Sequence, residues 1–221
     1  MKMFYDVENI NISDSELIEK MKVAALCEYD RYLRDYGLGR IEETLWWDDG
    51  SAFMTWFKGN IREFFASNPG LGKHPEVQPD PLKKLRRGAH KVNNTVVWLN
   101  GDKAVGETMC VLWFRYKIDG DWFDGQTWGR MHYRAEKRNG VWKLLHFTGI
   151  YEWDRMDPVF QDCEVIIPRE TLLAYRDNNM NMAYRQEKNN GELKNYEEWP
   201  GPDRPETIQK LYEETSEWFY C

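Results

Sequence analysis

The chain has 221 residues, 37 acidic and 30 basic side chains and a formal net charge of -7, with a mean hydropathy of -0.76 and a pI near 5.3. That hydropathy excludes a hydrophobic membrane protein, the acidic balance argues against a phosphate-tracking nucleic-acid binder, and no run reaches the roughly 18 apolar residues a spanning helix needs. Aromatics still make up 15% of the chain, including 11 Trp, and side chains that large either fill a core or line a cavity or an oligomer surface.

The first predicted element opens at Ser13-Asp14-Ser15-Glu16, a capping box. Leu17, Met21, Ala25, Tyr29, Tyr32 and Tyr36 follow at three- and four-residue steps until Gly37 and Gly39, which predicts a helix with tyrosines on its buried stripe. A short helix over 40–45, a short strand over 52–57 and a third helix opened by Asn60 come next. Residues 67–88 hold Pro69, Pro75, Pro79 and Pro81, the pattern of a long loop of the kind that serves as a lid; the basic run Lys83-Lys84-Leu85-Arg86-Arg87 within it reads as a solvated turn.

After the loop the pattern changes to strands over 93–99, 104–118, 125–138 and 141–153, with Asn139-Gly140 as the sharpest hairpin signal. The tail offers a brief apolar run at Val165-Ile166-Ile167 and two charged helical stretches, 169–188 and 205–219. The reading is an α+β domain over 1–160. Residues 161–221 form a C-terminal helical arm that packs on the domain or on a neighbouring subunit, being too poor in apolar residues for a core of their own.

The four cysteines are scattered without a paired spacing, so reduced thiols and neither a zinc site nor a disulfide framework are expected. MKMFYDVENI lacks the layout of a signal peptide, and a cytoplasmic protein is expected. Of the four histidines, His74 precedes Pro75 in the loop and reads as exposed. A two-residue hairpin turn would pair Tyr133 with His146 and His132 with Phe147. That count places His146, Tyr133 and Met131 on the face toward the helices and His132, Arg130 and Trp128 on the other, unless a bulge inverts it. His90 stands where the loop enters the first long strand. Asp35 ends the first helix, where an acid is poorly matched to the helix dipole, and Tyr32 lies close enough around the helix to share a pocket with it.

The layout of helices, Pro-rich loop, His and long strands, with Asn139-Gly140-Val141-Trp142-Lys143 and Gly149-Ile150-Tyr151-Glu152-Trp153, resembles the SnoaL-like branch of the nuclear transport factor 2-like superfamily. Within it the chain is most similar to scytalone dehydratase and bile-acid 7α-dehydratase over residues 13–160. The resemblance implies a cone-shaped α+β barrel, its curved and mostly antiparallel sheet covered by N-terminal helices. It places a catalytic Asp at Asp35, a Tyr at Tyr29 and a His at His90. A second histidine of the scytalone enzyme would fall at Trp113-Phe114, so that its role is missing or supplied by His146, and an inward polar pair would fall near Gly129 and Met131.

The reading is a metal- and cofactor-independent lyase acting on a bulky aromatic or polycyclic hydroxylated molecule by dehydratase-type elimination. His90 is the base, Asp35 orients it, and Tyr29 or Tyr32 assists; Tyr133, His146, Phe114, Met131 and Trp56 line the pocket. The alternatives are a carbon–carbon lyase, a double-bond isomerase and a non-catalytic binding or assembly module. A homo-oligomer, trimer or dimer, is the expected partner state, with Trp128, Arg130 and His132 as a contact surface, and neither nucleic acid nor membrane is expected to bind.

Overall fold

The structure is a computed structural model that describes residues 2–67 and 87–221. Most of the Pro-rich segment, with His74 and the basic run, lies outside the described residues. Helix α1 (Asp14–Asp35) begins at the capping box: the Ser13 hydroxyl accepts the Glu16 N–H at 3.3 Å and the Ser13 N–H donates to Glu16 Oε2 at 3.1 Å. Helix α2 (Gly39–Thr44), strands β1 (Trp46–Met54) and β2 (Phe57–Asn60) and helix α3 (Ile61–Ser67) follow. Four long strands then form a meander, β3 (Arg87–Asn100), β4 (Lys103–Ile118), β5 (Asp121–Arg138) and β6 (Val141–Pro158).

The sheet order is β2-β1-β6-β5-β4-β3, with β1 parallel to β6 and every other pair antiparallel. It is curved and open, an α+β architecture with helices at both ends. The β5–β6 turn is built as the sequence predicts: Asn139 and Gly140 both take positive φ, 53° and 79°, and Arg138 pairs with Val141. No helix among the described residues is long and apolar enough to cross a membrane.

Two features of the sheet depart from the simple count. An extra residue at Leu145 shifts the register between Arg134 and Ala135, so that His146 pairs with Arg134 and Tyr133 with Phe147. Because a one-residue shift turns every following side chain to the opposite face, His146 leaves the helix-facing side where plain alternation placed it. A second extra residue, Glu152, pairs Trp128 with Trp153, and the two indoles stack at 3.7 Å.

Helix α1 also turns differently from its apolar stripe. Leu17, Met21, Tyr29, Tyr32 and Tyr36 are exposed, and Val23, Cys27, Asp30, Arg31 and Leu33 are buried. The close approach of α1 to β4 selects that face: a Cβ on Gly106 would lie 2.9 Å from Cys27 Sγ, so only slim side chains fit there. The charged pair Asp30–Arg31 tolerates burial because Asp30 also accepts from Trp46 Nε1 at 3.0 Å and from the Tyr133 hydroxyl at 3.0 Å.

Neighbouring residues of β5 point to opposite faces, and both faces are covered. Tyr133 points to α1, and His132 points to helix α6 (Pro205–Tyr220), whose first-turn Pro205 is preorganised for that position. Phe219 joins Phe4 and Val105 beneath α6, with Trp98 and Trp218 packed alongside. The rest of the tail forms α4 (Arg169–Leu172), a 3-10 turn at 177–179 and α5 (Met180–Asn190), ended by Gly191 at φ 79°. Trp199 is fully buried in a cluster with Tyr151 and Met182.

Candidate active site

Asp35 at the C-terminus of α1 and His90 near the start of β3 meet across the edge of the sheet. The His90 backbone N–H donates to Asp35 Oδ2 at 2.6 Å, and His90 Nδ1 lies 2.7 Å from Asp35 Oδ1. Both carboxylate oxygens are engaged by one residue, which fixes the imidazole ring and satisfies a backbone donor that an edge strand leaves open. Nδ1 as donor leaves the Nε2 lone pair free, and Nε2 has no hydrogen-bond partner among the described residues. Burial pushes the imidazole below its ordinary range; Asp35 opposes this, and the Arg31 and Arg34 charges add to it.

The imidazole faces a cavity of about 270 Å³. Leu112, Phe114, Met131 and Phe147 supply apolar wall, Arg31 and Arg34 stand at the α1 side, and Thr55, Trp56 and Tyr151 close the β1 side. Met182, Arg185 and Gln186 of α5 cover it, and the Arg185 guanidinium lies 4.9 Å from the Phe114 ring centroid. The tail thus contributes wall to the cavity. Trp113 and Trp128 do not line it.

Tyr151 is the phenol of this cavity. Burial pushes it up to about 12, with the nearby Thr55 amide and hydroxyl opposing. The Thr55 hydroxyl accepts from Gln186 Nε2 at 2.5 Å. The Tyr151 hydroxyl has no hydrogen-bond acceptor among the described residues, so its proton is available to a bound molecule.

Of the residues expected at the site, the fold brings together His90, Asp35, Phe114, Met131 and Trp56. Tyr29 and Tyr32 do not reach it: their rings stack on one another at 6.2 Å on the exposed side of α1, because Asp30, Arg31 and Arg34 occupy the inward positions. Tyr133 is buried beside the cavity with its hydroxyl committed to Asp30. His146 lies on the other face, in a larger cavity of about 550 Å³ between β1, β6 and the tail, its nitrogens 2.7 Å from the Ser51 and Thr148 hydroxyls. Burial first, then Arg134 and His132, push it down to about 3, and its place on the other face keeps it out of the cavity that His90 lines.

The expected contact surface is also revised. Arg130 bonds Glu107, Glu152 and Tyr212, and His132 is buried under α6, so Trp128 with its partner Trp153 is what this part of the face leaves open. Sequence reasoning missed Arg31, Arg34, Tyr151, Arg185 and Gln186. Arg31 and Arg34 carried a signal, being one turn and one residue before Asp35 on the same helix. The tail residues carried none.

No family model and no curated protein matches the sequence. Solved structures do match in shape. A scytalone dehydratase-like protein from Novosphingobium aromaticivorans superposes with a TM-score of 0.52 at 16% identity, over 70% of this chain and 94% of that one. A type 2 hexachlorocyclohexane dehydrochlorinase, LinA, gives a TM-score of 0.50 at 15% identity, over 71% and 99%. The chain carries the nuclear transport factor 2/SnoaL-like superfamily fold.

Proposed function

We propose that the chain is a lyase of the dehydratase type, working by acid–base chemistry that its own side chains supply. The observation that carries this reading is the His90–Asp35 pair with an open imidazole nitrogen facing a mostly apolar cavity. His90 Nε2 removes a proton from carbon while Asp35 stabilises the imidazolium. The C–H electron pair becomes the new double bond, the neighbouring C–O bond breaks, and hydroxide leaves as water with the Tyr151 proton. The imidazolium then returns a proton to the tyrosinate. Two structural neighbours named for related eliminations, a dehydratase-like protein and a dehydrochlorinase, support this class.

The cavity stands just below the usual 300–1,000 Å³ of small-molecule sites, which favours a substrate of one or two rings over a four-ring skeleton. Exposure of the protein to hydroxylated one- and two-ring compounds, with products read by mass, tests the proposal. Loss of water that disappears in His90→Ala is the expected result. An unchanged mass with a moved double bond would make it an isomerase, and loss of formaldehyde a carbon–carbon lyase.

A further inference from the structure

We infer that the dyad cavity takes a substrate bearing a carboxylate, and that this carboxylate replaces Glu42 as the counter-ion of Arg34. The inference rests on the cavity being the active site and names the class of molecule it accepts.

The two arginines of α1 are held differently. Arg31 makes a two-point contact: Asp30 Oδ2 accepts from its Nε at 2.9 Å and from its Nη2. Arg34 makes a single-point contact, Nη2 to Glu42 Oε1, and both Arg34 Nε and Glu42 Oε2 are buried without a hydrogen-bond partner among the described residues. Its guanidinium lies 4.4 Å from the Phe64 ring centroid and lines the cavity. A buried donor left unpaired is costly, and a ligand with two acceptor oxygens is the chemistry that answers a guanidinium held at one point with its Nε unpaired.

Charge balance sets the condition. Among the described residues, Arg31 and Arg34 of α1 line the cavity with Asp30 and Glu42 behind them, and Arg185 on the opposite wall acts on Asp154. The two α1 cations therefore already have one carboxylate each, and a further carboxylate would be an uncompensated buried charge. Uptake of a proton by Glu42 restores the balance. Burial, then Asp30, already push Glu42 up to about 7, with Arg34 and Arg31 opposing, so the proton is held on at little cost near neutrality. Above about pH 7 each bound carboxylate must bring a proton with it, and affinity should fall by about tenfold per pH unit.

The test compares 2-naphthoate with the uncharged, similarly shaped 2-naphthamide by calorimetry on the full chain, in two buffers of different ionisation enthalpy. The expected result is at least about tenfold tighter binding of the acid at pH 7, with uptake of about one proton at pH 8. Glu42→Gln should abolish both the uptake and the pH slope, and Arg34→Gln should abolish the preference for the acid; where Arg34→Gln fails to fold, the Glu42→Gln comparison decides. Equal or tighter binding of the amide, no saturable binding of either probe, or an acid preference without a pH slope would overturn the inference. Turnover is read separately. His90→Ala should lose activity and keep the acid preference, so a wrong substrate class and a wrong catalytic assignment give different outcomes.

Discussion

The two faces of the sheet each carry a histidine–carboxylate pair of nearly the same geometry, and only one of them is built to react. On the inner face His90 Nδ1 lies 2.7 Å from Asp35; on the outer face His132 Nδ1 lies 2.9 Å from Glu107. Burial lowers both imidazoles. The difference is the second nitrogen. That of His132 meets the Thr215 hydroxyl at 3.0 Å under α6, and Glu107 also accepts from Tyr212 at 2.6 Å and Arg130 at 3.1 Å, so the network is closed and the histidine is fully buried. That of His90 faces the cavity, and its side chain keeps 12% exposure. The pairing of a histidine with an acid therefore does not define a base; an unoccupied nitrogen opening on a cavity does.

The largest expected effects test that contrast directly. His90→Ala should reduce turnover by about 10²–10⁴ with little change in stability. His132→Ala should do the reverse, leaving turnover per folded molecule within about twofold while costing about 2–4 kcal/mol, because it opens a cavity beneath α6 and leaves Glu107 short of a donor. Steady-state kinetics and urea melts of the two variants would read this, and the opposite pattern would place the reactive pair on the outer face. Asp35→Asn comes next, with a loss of about 10²–10³ in kcat, since an amide can present its NH₂ to Nδ1 and so stabilise the wrong tautomer. Glu107→Gln should spare kcat.

Why one histidine was found from sequence and another misplaced has a physical cause. His90 and Asp35 stood out because a resemblance fixed their positions, and Phe114 and Met131 followed from strand parity that the structure keeps. His146 was misplaced by a single inserted residue, Leu145, which leaves no local mark in a strand of alternating side chains. The helix α1 shows apolar periodicity on its solvent side, and its buried side is specified by Cys27 packing against Gly106 and by Asp30 closing four hydrogen bonds, contacts more than 75 residues away in the chain for Gly106 and about 100 for Tyr133. Arg185 and Gln186 reach the cavity only because the tail returns over β1 and β6, and nothing in a charged helix announces where it docks.

The tyrosines sharpen the contrast between a residue near the site in sequence and one near it in space. Tyr151→Phe removes the one phenol hydroxyl that the described cavity lining offers and should lower kcat by about 10–10². Tyr29→Phe and Tyr32→Phe should leave kcat within about twofold, because both rings lie on the exposed side of α1. A large effect at Tyr32 with none at Tyr151 would mean that α1 presents its tyrosine face to the substrate.

The smallest effects are in the pH dependence, where the two kinds of histidine separate by what they lose. His90 must be neutral to act, and burial holds it below 6.5, so the acidic limb of kcat/KM should fall below pH 6.5 and not above it. His132 and His146 are also lowered, His146 to about 3. For a base whose folded value is depressed, the unfolded chain binds the extra proton first, so the stability these two contribute is present above about 6.5 and is lost as the pH falls below it. Arg34→Gln removes one of the charges that lower His90, and should move the activity limb upward while leaving the acid unfolding of the outer face in place. A limb that moved together with the unfolding transition would show that activity in acid is limited by the fold, and that His90 is not the group being titrated.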